Sequence, residues 1–125
     1  MNYIRNNIYN PFSKRSTSKE SPFKQQLSLE KRQLLYEKIM LDYQDKFPII
    51  LHGIDPERSK FLANSTMTVE DVIVAIKKYT HSTKSISLQT SNGVDLILAD
   101  SMIQVYDKYK DSEDKFLYLW LIGFE

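Results

Sequence analysis

The stretch KFLYLWLIGFE, residues 115–125, is apolar on both of its alternating faces. Phe116, Tyr118, Trp120 and Ile122 fall on one side, and Leu117, Leu119 and Leu121 on the other. A strand with one wet face alternates apolar with polar residues. This pattern therefore predicts a strand in the middle of a sheet, covered on both sides. At about 1.5–3 kcal/mol for each large apolar side chain, leaving Trp120 or the leucines in water would be costly.

The upstream periodicities supply the rest of the frame. Pro22 to Gln26 and Leu29 to Tyr43 predict a short helix and a longer one, the second capped by Ser28 with Glu30 in its first turn. Leu35, Ile39 and Asp42 or Tyr43 follow at helical spacing, and Leu27, Leu34, Met40 and Leu41 widen the apolar stripe. Phe47 to His52 predicts a strand in which Pro48 donates no ladder bond, and Lys60 to Asn64 a short edge strand. Thr68 predicts a helix cap, with Val69, Val72, Ile73 and Ile76 forming the buried stripe of the helix that follows. Ser85 to Thr90 alternates with Ile86 and Leu88 inward, and Asn92-Gly93 marks a tight turn into VDLIL, an extended piece or strand. Asp100 or Ser101 then caps a helix carrying Met102, Val105, Tyr106 and Tyr109.

That order defines an α+β fold of β-grasp (ubiquitin-like) type, a mixed sheet with two additional N-terminal helices. The last strand lies beside the first, the main helix covers one face, and the N-terminal helices cover the other. Residues 22–122 form this domain. Residues 1–21, polar and basic, are expected to be a mobile tail, and 123–125 close the chain. Tyr3, Tyr9 and Phe12 lie among basic residues of that tail, where a solvated segment is favoured over a lipid or RNA contact.

Composition narrows the chemistry. Seventeen Lys and Arg against sixteen Asp and Glu give a net charge of +1, so no global field points to nucleic acid. The absence of cysteine excludes disulfides, thiolate zinc sites and thioester-forming catalysis. With glycine only at 53, 93 and 123, no phosphate-cradling loop can be built. His52 and His81 have no metal-ligand partners at useful spacing. Asp55, Glu57, Asp111, Glu113 and Asp114 are expected as solvated turn acids. No apolar run approaches the roughly 18 residues that span a bilayer, so a soluble, intracellular, non-enzymatic protein without cofactors is expected.

Three segments carry a family likeness. LEKRQLLYEKIMLDYQDKFPIIL (29–51), KFLANSTMTVEDVIVAIKK (60–78) and VYDKYKDSEDKFLYLW (105–120) resemble, in order, segments of the GABARAP-type autophagy ubiquitin-like modifiers. The resemblance covers about residues 22 to 122. It implies capture of autophagy receptor or adaptor peptides of aromatic-x-x-aliphatic type, which add a strand beside the second strand of the domain. It also implies partnership with conjugation enzymes and attachment through a C-terminal glycine to phosphatidylethanolamine on autophagosome or vacuole membranes. Carried over by position, the aromatic pocket would be lined by Leu35, Ile39, Pro48, Ile50, Leu62 and Phe116, with Lys60 beside it. The aliphatic pocket would use Phe61, Ala63, Met67, Val72 and Ala75.

The residues also read independently of that likeness. Ile39, Ile50, Leu62 and Val72 suit the core of any β-grasp protein, whereas a large aromatic at Phe61 next to the cation Lys60 on a short edge strand is less demanded by folding. Departures are visible too. Leu35 replaces an acid, Asn64 a proline and Tyr79 a basic residue, while Ala63, Val72 and Ala75 are small, which favours bulkier guests in the second pocket. Gly123, the candidate conjugation residue, would need Phe124 and Glu125 removed, and it falls earlier than the family register. The alternatives are a non-conjugated scaffold or inhibitor with the same fold, or a sequence with an altered terminus.

Overall fold

The computed structural model describes residues 21–55 and 58–123. Residues 1–20, which hold nearly all of the expected tail, lie outside the described residues, as do Glu57 and the last two positions. Ser21, grouped with the tail on composition, is buried and caps helix α1 (Pro22–Gln26) by accepting from Lys24 N at 3.4 Å. Helix α2 (Leu29–Asp42) starts at Ser28, whose side chain accepts from Lys31 N. Strands β1 (Lys46–His52) and β2 (Lys60–Asn64) follow, then helix α3 (Val69–Thr80) and strand β3 (Ser87–Thr90). Helix α4 (Met102–Tyr109) and strand β4 (Leu117–Ile122) are the last elements among the described residues.

The four strands form one sheet in the order β2-β1-β4-β3. β1 and β4 run parallel, with Ile49 opposite Leu117 and His52 opposite Trp120, and the two outer pairings are antiparallel. The strand with two apolar faces is therefore internal, as its pattern requires. Leu117, Leu119 and Leu121 enter the core beneath α3 and α4 with Ile49, Leu51, Val72 and Met102. Phe116, Tyr118 and Trp120 enter a second cluster with Phe23 and Ile50, against which Leu35, Tyr36 and Ile39 of α2 pack. The N-terminal helices are thus the second cover.

Local signals behave as their chemistry dictates. A capping box closes the start of α3, with Asp71 N donating to Thr68 Oγ1 and Thr68 N to Asp71 Oδ2. Such a cap contributes about 1 kcal/mol. The turn after β3 is tight, Gly93 N bonding Thr90 O at 3.0 Å with Gly93 at φ +83°, which only glycine adopts without strain. The returning segment meets β3 at one bridge, Gln89 to Asp95, and remains extended rather than a strand. Ser101 is the N-cap of α4, with no side-chain capping bond.

One helical expectation is corrected. Leu34 and Leu41 do not widen the buried stripe of α2; they are 59 % and 75 % exposed. The face turned to the sheet is instead Arg32, Leu35, Tyr36 and Ile39, spaced i, i+3, i+4, i+7. Arg32 sets that rotation through its pair with Asp114, described below.

Candidate peptide-binding groove

Among the described residues, strand β2 is one margin of the sheet, with no further strand paired to it. Leu51 N donates to Ser59 O at 2.6 Å, which fixes the phase of the antiparallel ladder with β1. Alternate pairs exchange bonds, so the main chain of Phe61 and Ala63 is turned to β1. The N–H and C=O of Lys60 and Leu62 are turned outward. Pro48, opposite Leu62, falls in a pair that exchanges no ladder bonds and so tolerates its missing N–H.

The side chains of the margin divide by parity. Lys60 and Leu62 share the α2 side of the sheet with Pro48 and Ile50, while Phe61 and Ala63 point to the α3 side. A guest strand paired here would present residues three apart to opposite faces. An aromatic-x-x-aliphatic motif has that spacing.

On the α2 side, the seven residues assigned to the aromatic pocket do converge, but not as an open hole. Ile50 and Phe116 are each 1 % exposed, in the cluster against which Leu35 and Ile39 pack, and Pro48 is buried. Leu62 is half-buried and Lys60 exposed. On the α3 side, Ala63 and Val72 are fully buried in the main core, whereas Phe61, Met67 and Ala75 are half-buried. Ala63 and Val72 have been closed over by their neighbours, and the accessible surface is made by those last three.

Electrostatic features missed from sequence frame this margin. Asp114, expected in solvent, is fully buried and pairs with Arg32 at 2.8 Å. Its other bonds come from Phe116 N at 2.9 Å and the Tyr118 hydroxyl. Arg32 also donates to the carbonyls of Leu27 and Lys24, so this one residue ties α1, α2 and the approach to β4 together. Burial, then hydrogen bonding to Asp114, pushes the Tyr118 hydroxyl well above its ordinary range. An arginine at the head of an apolar helical stripe was the available signal, but its partner is 82 positions away.

Asp111 organises the turn before β4. Its carboxylate accepts from Glu113 N, Asp114 N and Lys24 Nζ. Burial works to raise its pKa, and these bonds outweigh it, so the carboxyl sits below its usual range. At the far end of β2, Arg58 pairs with Asp55 at 3.1 Å and lies over the Tyr79 ring at 5.4 Å. Tyr79, at i+4 from Ala75 and i+7 from Val72, continues the α3 wall of the margin.

Gly123 lies at the end of β4 with φ +88°. A Cβ there would stand 2.7 Å from Ser85 O, so a glycine is demanded by the backbone itself. Among the described residues no group of three or more His, Asp or Glu could hold a metal ion, and no helix is long and apolar enough to cross a membrane.

A β-grasp sheet with two helices laid over its second face defines the class of the chain as ubiquitin-like. No protein-family model matches the sequence. The autophagy-related protein 8-like protein of Dictyostelium discoideum is 35 % identical over 112 residues, covering 81 % of this chain and 88 % of that protein. Autophagy-related protein 8 of the same organism is 31 % identical over 112 residues, with 82 % and 90 % covered. The crystal structure of Trypanosoma brucei ATG8 superposes with a TM-score of 0.77 at 29 % identity, covering 84 % of this chain and 96 % of the other. The solved structure of Plasmodium falciparum Atg8 in complex with a Plasmodium falciparum Atg3 peptide, at 21 % identity, shares the fold with a TM-score of 0.70, covering 82 % of this chain and 96 % of the other. The chain belongs to the autophagy-related protein 8 family.

Proposed function

We propose that this member of the family captures autophagy receptor or adaptor peptides of aromatic-x-x-aliphatic type by adding them as a strand to β2. The observation that carries the reading is the parity of the margin. The outward main-chain groups of Lys60 and Leu62 offer a ladder, and the two apolar side-chain sets lie on opposite faces of it. The aromatic anchor enters between α2 and β1 over Pro48, Ile50, Leu62 and Phe116, after Leu35 and Ile39 shift. The aliphatic anchor rests on Phe61, Met67 and Ala75.

Affinity on the micromolar scale is expected, because ordering a short peptide cancels much of its contact energy. Titration of such a peptide tests the site. Phe61→Ala and Leu62→Ala should each weaken binding by roughly tenfold. Affinities equal to wild type would remove the assignment.

Gly123 separates two forms of this role. In one, Gly123 freed of whatever follows it is joined by conjugation enzymes to phosphatidylethanolamine, carrying the captured receptor onto an autophagosome or vacuole membrane. The Atg3 peptide bound to the Plasmodium protein supports counting a conjugation enzyme among the partners. In the other, the domain works unconjugated in the cytoplasm as a scaffold or inhibitor. The seat of Gly123 against Ser85 favours the second, because it gives the glycine a folding role without conjugation. Intact mass after incubation with conjugation enzymes and phosphatidylethanolamine vesicles decides between them: a lipid adduct on Gly123 supports the first form, an unchanged mass the second.

A further inference from the structure

Beyond the Lys60 end of the margin, the described residues leave a gap on the outer face of the sheet. A cavity of about 330 Å³ lies between α1 and β1, walled chiefly by Phe23, Gln26, Ile50, His52, Lys60 and Trp120. Its volume is at the small end of the roughly 300–1,000 Å³ typical of ligand pockets, room for one side chain rather than for a cofactor. Ile50 and Lys60 belong both to this cavity and to the groove proposed above. We propose that the cavity is a third subsite of that groove, receiving an aromatic side chain of the guest peptide two positions from its aromatic anchor.

The inference rests on the strand-addition reading and extends it by geometry. Side chains two apart on a strand share a face and are separated by about 6.7 Å. With the anchor over Leu62 and Pro48, the next guest side chain on the same face comes level with Lys60 and Ile50, at the mouth of the cavity. The direction of the guest strand decides whether that residue precedes or follows the anchor.

The lining selects the chemistry. Phe23 and Trp120 offer aromatic walls, and His52 lies against Trp120 with ring centroids 4.6 Å apart. The Lys60 ammonium already stands 5.8 Å from the centre of the Phe23 ring, so this cation reaches aromatic faces inside the space. A guest ring would bury its edges on Phe23 and Trp120 and take Lys60 onto its face. A guest carboxylate would lose water against Phe23, Ile50 and Trp120 and gain only an exposed cation, a weak pairing.

The test compares three peptides on the full chain: a parent aromatic-x-x-aliphatic peptide, and two longer ones carrying phenylalanine two positions before or two positions after the anchor. One of the phenylalanine peptides should bind roughly three- to tenfold tighter than the parent. Because Trp120 is the sole tryptophan, its emission should change on binding that peptide and not the parent. Gln26→Trp, at an exposed position on the cavity wall, should abolish the gain and leave parent binding as in wild type. For Gln26→Trp, a near-ultraviolet circular dichroism spectrum and a melting curve establish that the variant is folded. Independently of that variant, Lys60→Gln should shrink the ratio between phenylalanine and parent peptides.

Three results would overturn the subsite: no gain from phenylalanine at either position while the parent binds, a gain with no response from Trp120, or a gain that survives in folded Gln26→Trp. Loss of parent binding in Gln26→Trp would overturn it as well, since the cavity would then hold the anchor itself. Failure of the parent to bind wild type would instead remove the strand-addition reading on which this one rests.

Discussion

Neutralising Asp114 is the most informative perturbation of the fold. Its carboxylate is 0 % exposed and answers Arg32, which is itself buried, so neither charge is screened by water. Asp114→Asn keeps the volume and an acceptor for Phe116 N, yet leaves the Arg32 guanidinium without its counter-charge in a dry site. Removing one partner of a buried pair costs about 3–5 kcal/mol, more than the pair itself contributes against apolar replacement. With a urea m-value of about 2 kcal/mol/M for a domain of this size, the unfolding midpoint should fall by about 1.5–2.5 M. Trp120 emission provides the readout, since the indole sits in the cluster that α1 and α2 cover. Combining Asp114→Asn with Arg32→Met should restore part of the loss, because the stranded charge is then gone. A midpoint shift under about 0.5 M for the single variant, with unchanged m-value, would refute the account. So would strict additivity in the double variant.

Two further outcomes follow from burial and backbone geometry. Burial lowers the His52 pKa below its ordinary value of 6.5. Above 6.5 the stability is fully present, and as pH falls below it the unfolded chain takes up the proton first, so stability declines until the folded-state value is reached. Unfolding free energies from urea titrations between roughly pH 7 and pH 5 should fall more steeply in wild type than in His52→Gln, by up to about 1.4 kcal/mol per pH unit, and equal slopes would contradict this. Gly123→Ala should destabilise by about 1–2 kcal/mol from the positive φ alone, with the approach of Ser85 O adding to it, and an unchanged melting temperature would show that the turn relaxes freely.

The sequence made the frame legible where a signal was local. The two apolar parities of 116–122 required a central strand, and the Thr68 cap with its stripe required α3. Residues whose role depends on a distant partner were not legible. Asp114 lies among Asp111, Ser112 and Glu113 in a stretch that looks solvated, and only folding brings it under Arg32. Leu34 and Leu41 formed as good a stripe as Leu35 and Ile39 until that pair fixed the rotation of α2. For the groove, residue types and their parity could be read along the chain. How far Leu35 and Ile39 close over Ile50 and Phe116, and where the cavity beside α1 opens, depends on packing between elements far apart in sequence.

The parallel pairing of β1 with β4 also sets an order of events at the ribosome. Until residues 117–122 have been made, β1 and β3 have no common neighbour, and the edge of β1 that will meet β4 stays unpaired, since Ile49 and Leu51 lie 68 positions before their partners Leu117 and Leu119. A nascent chain that cannot close its sheet early exposes a sticky strand edge until the closing segment emerges. Chaperones that shield the unpaired edge of 46–52 before residues 117–122 emerge are therefore expected to raise the yield of folded chain.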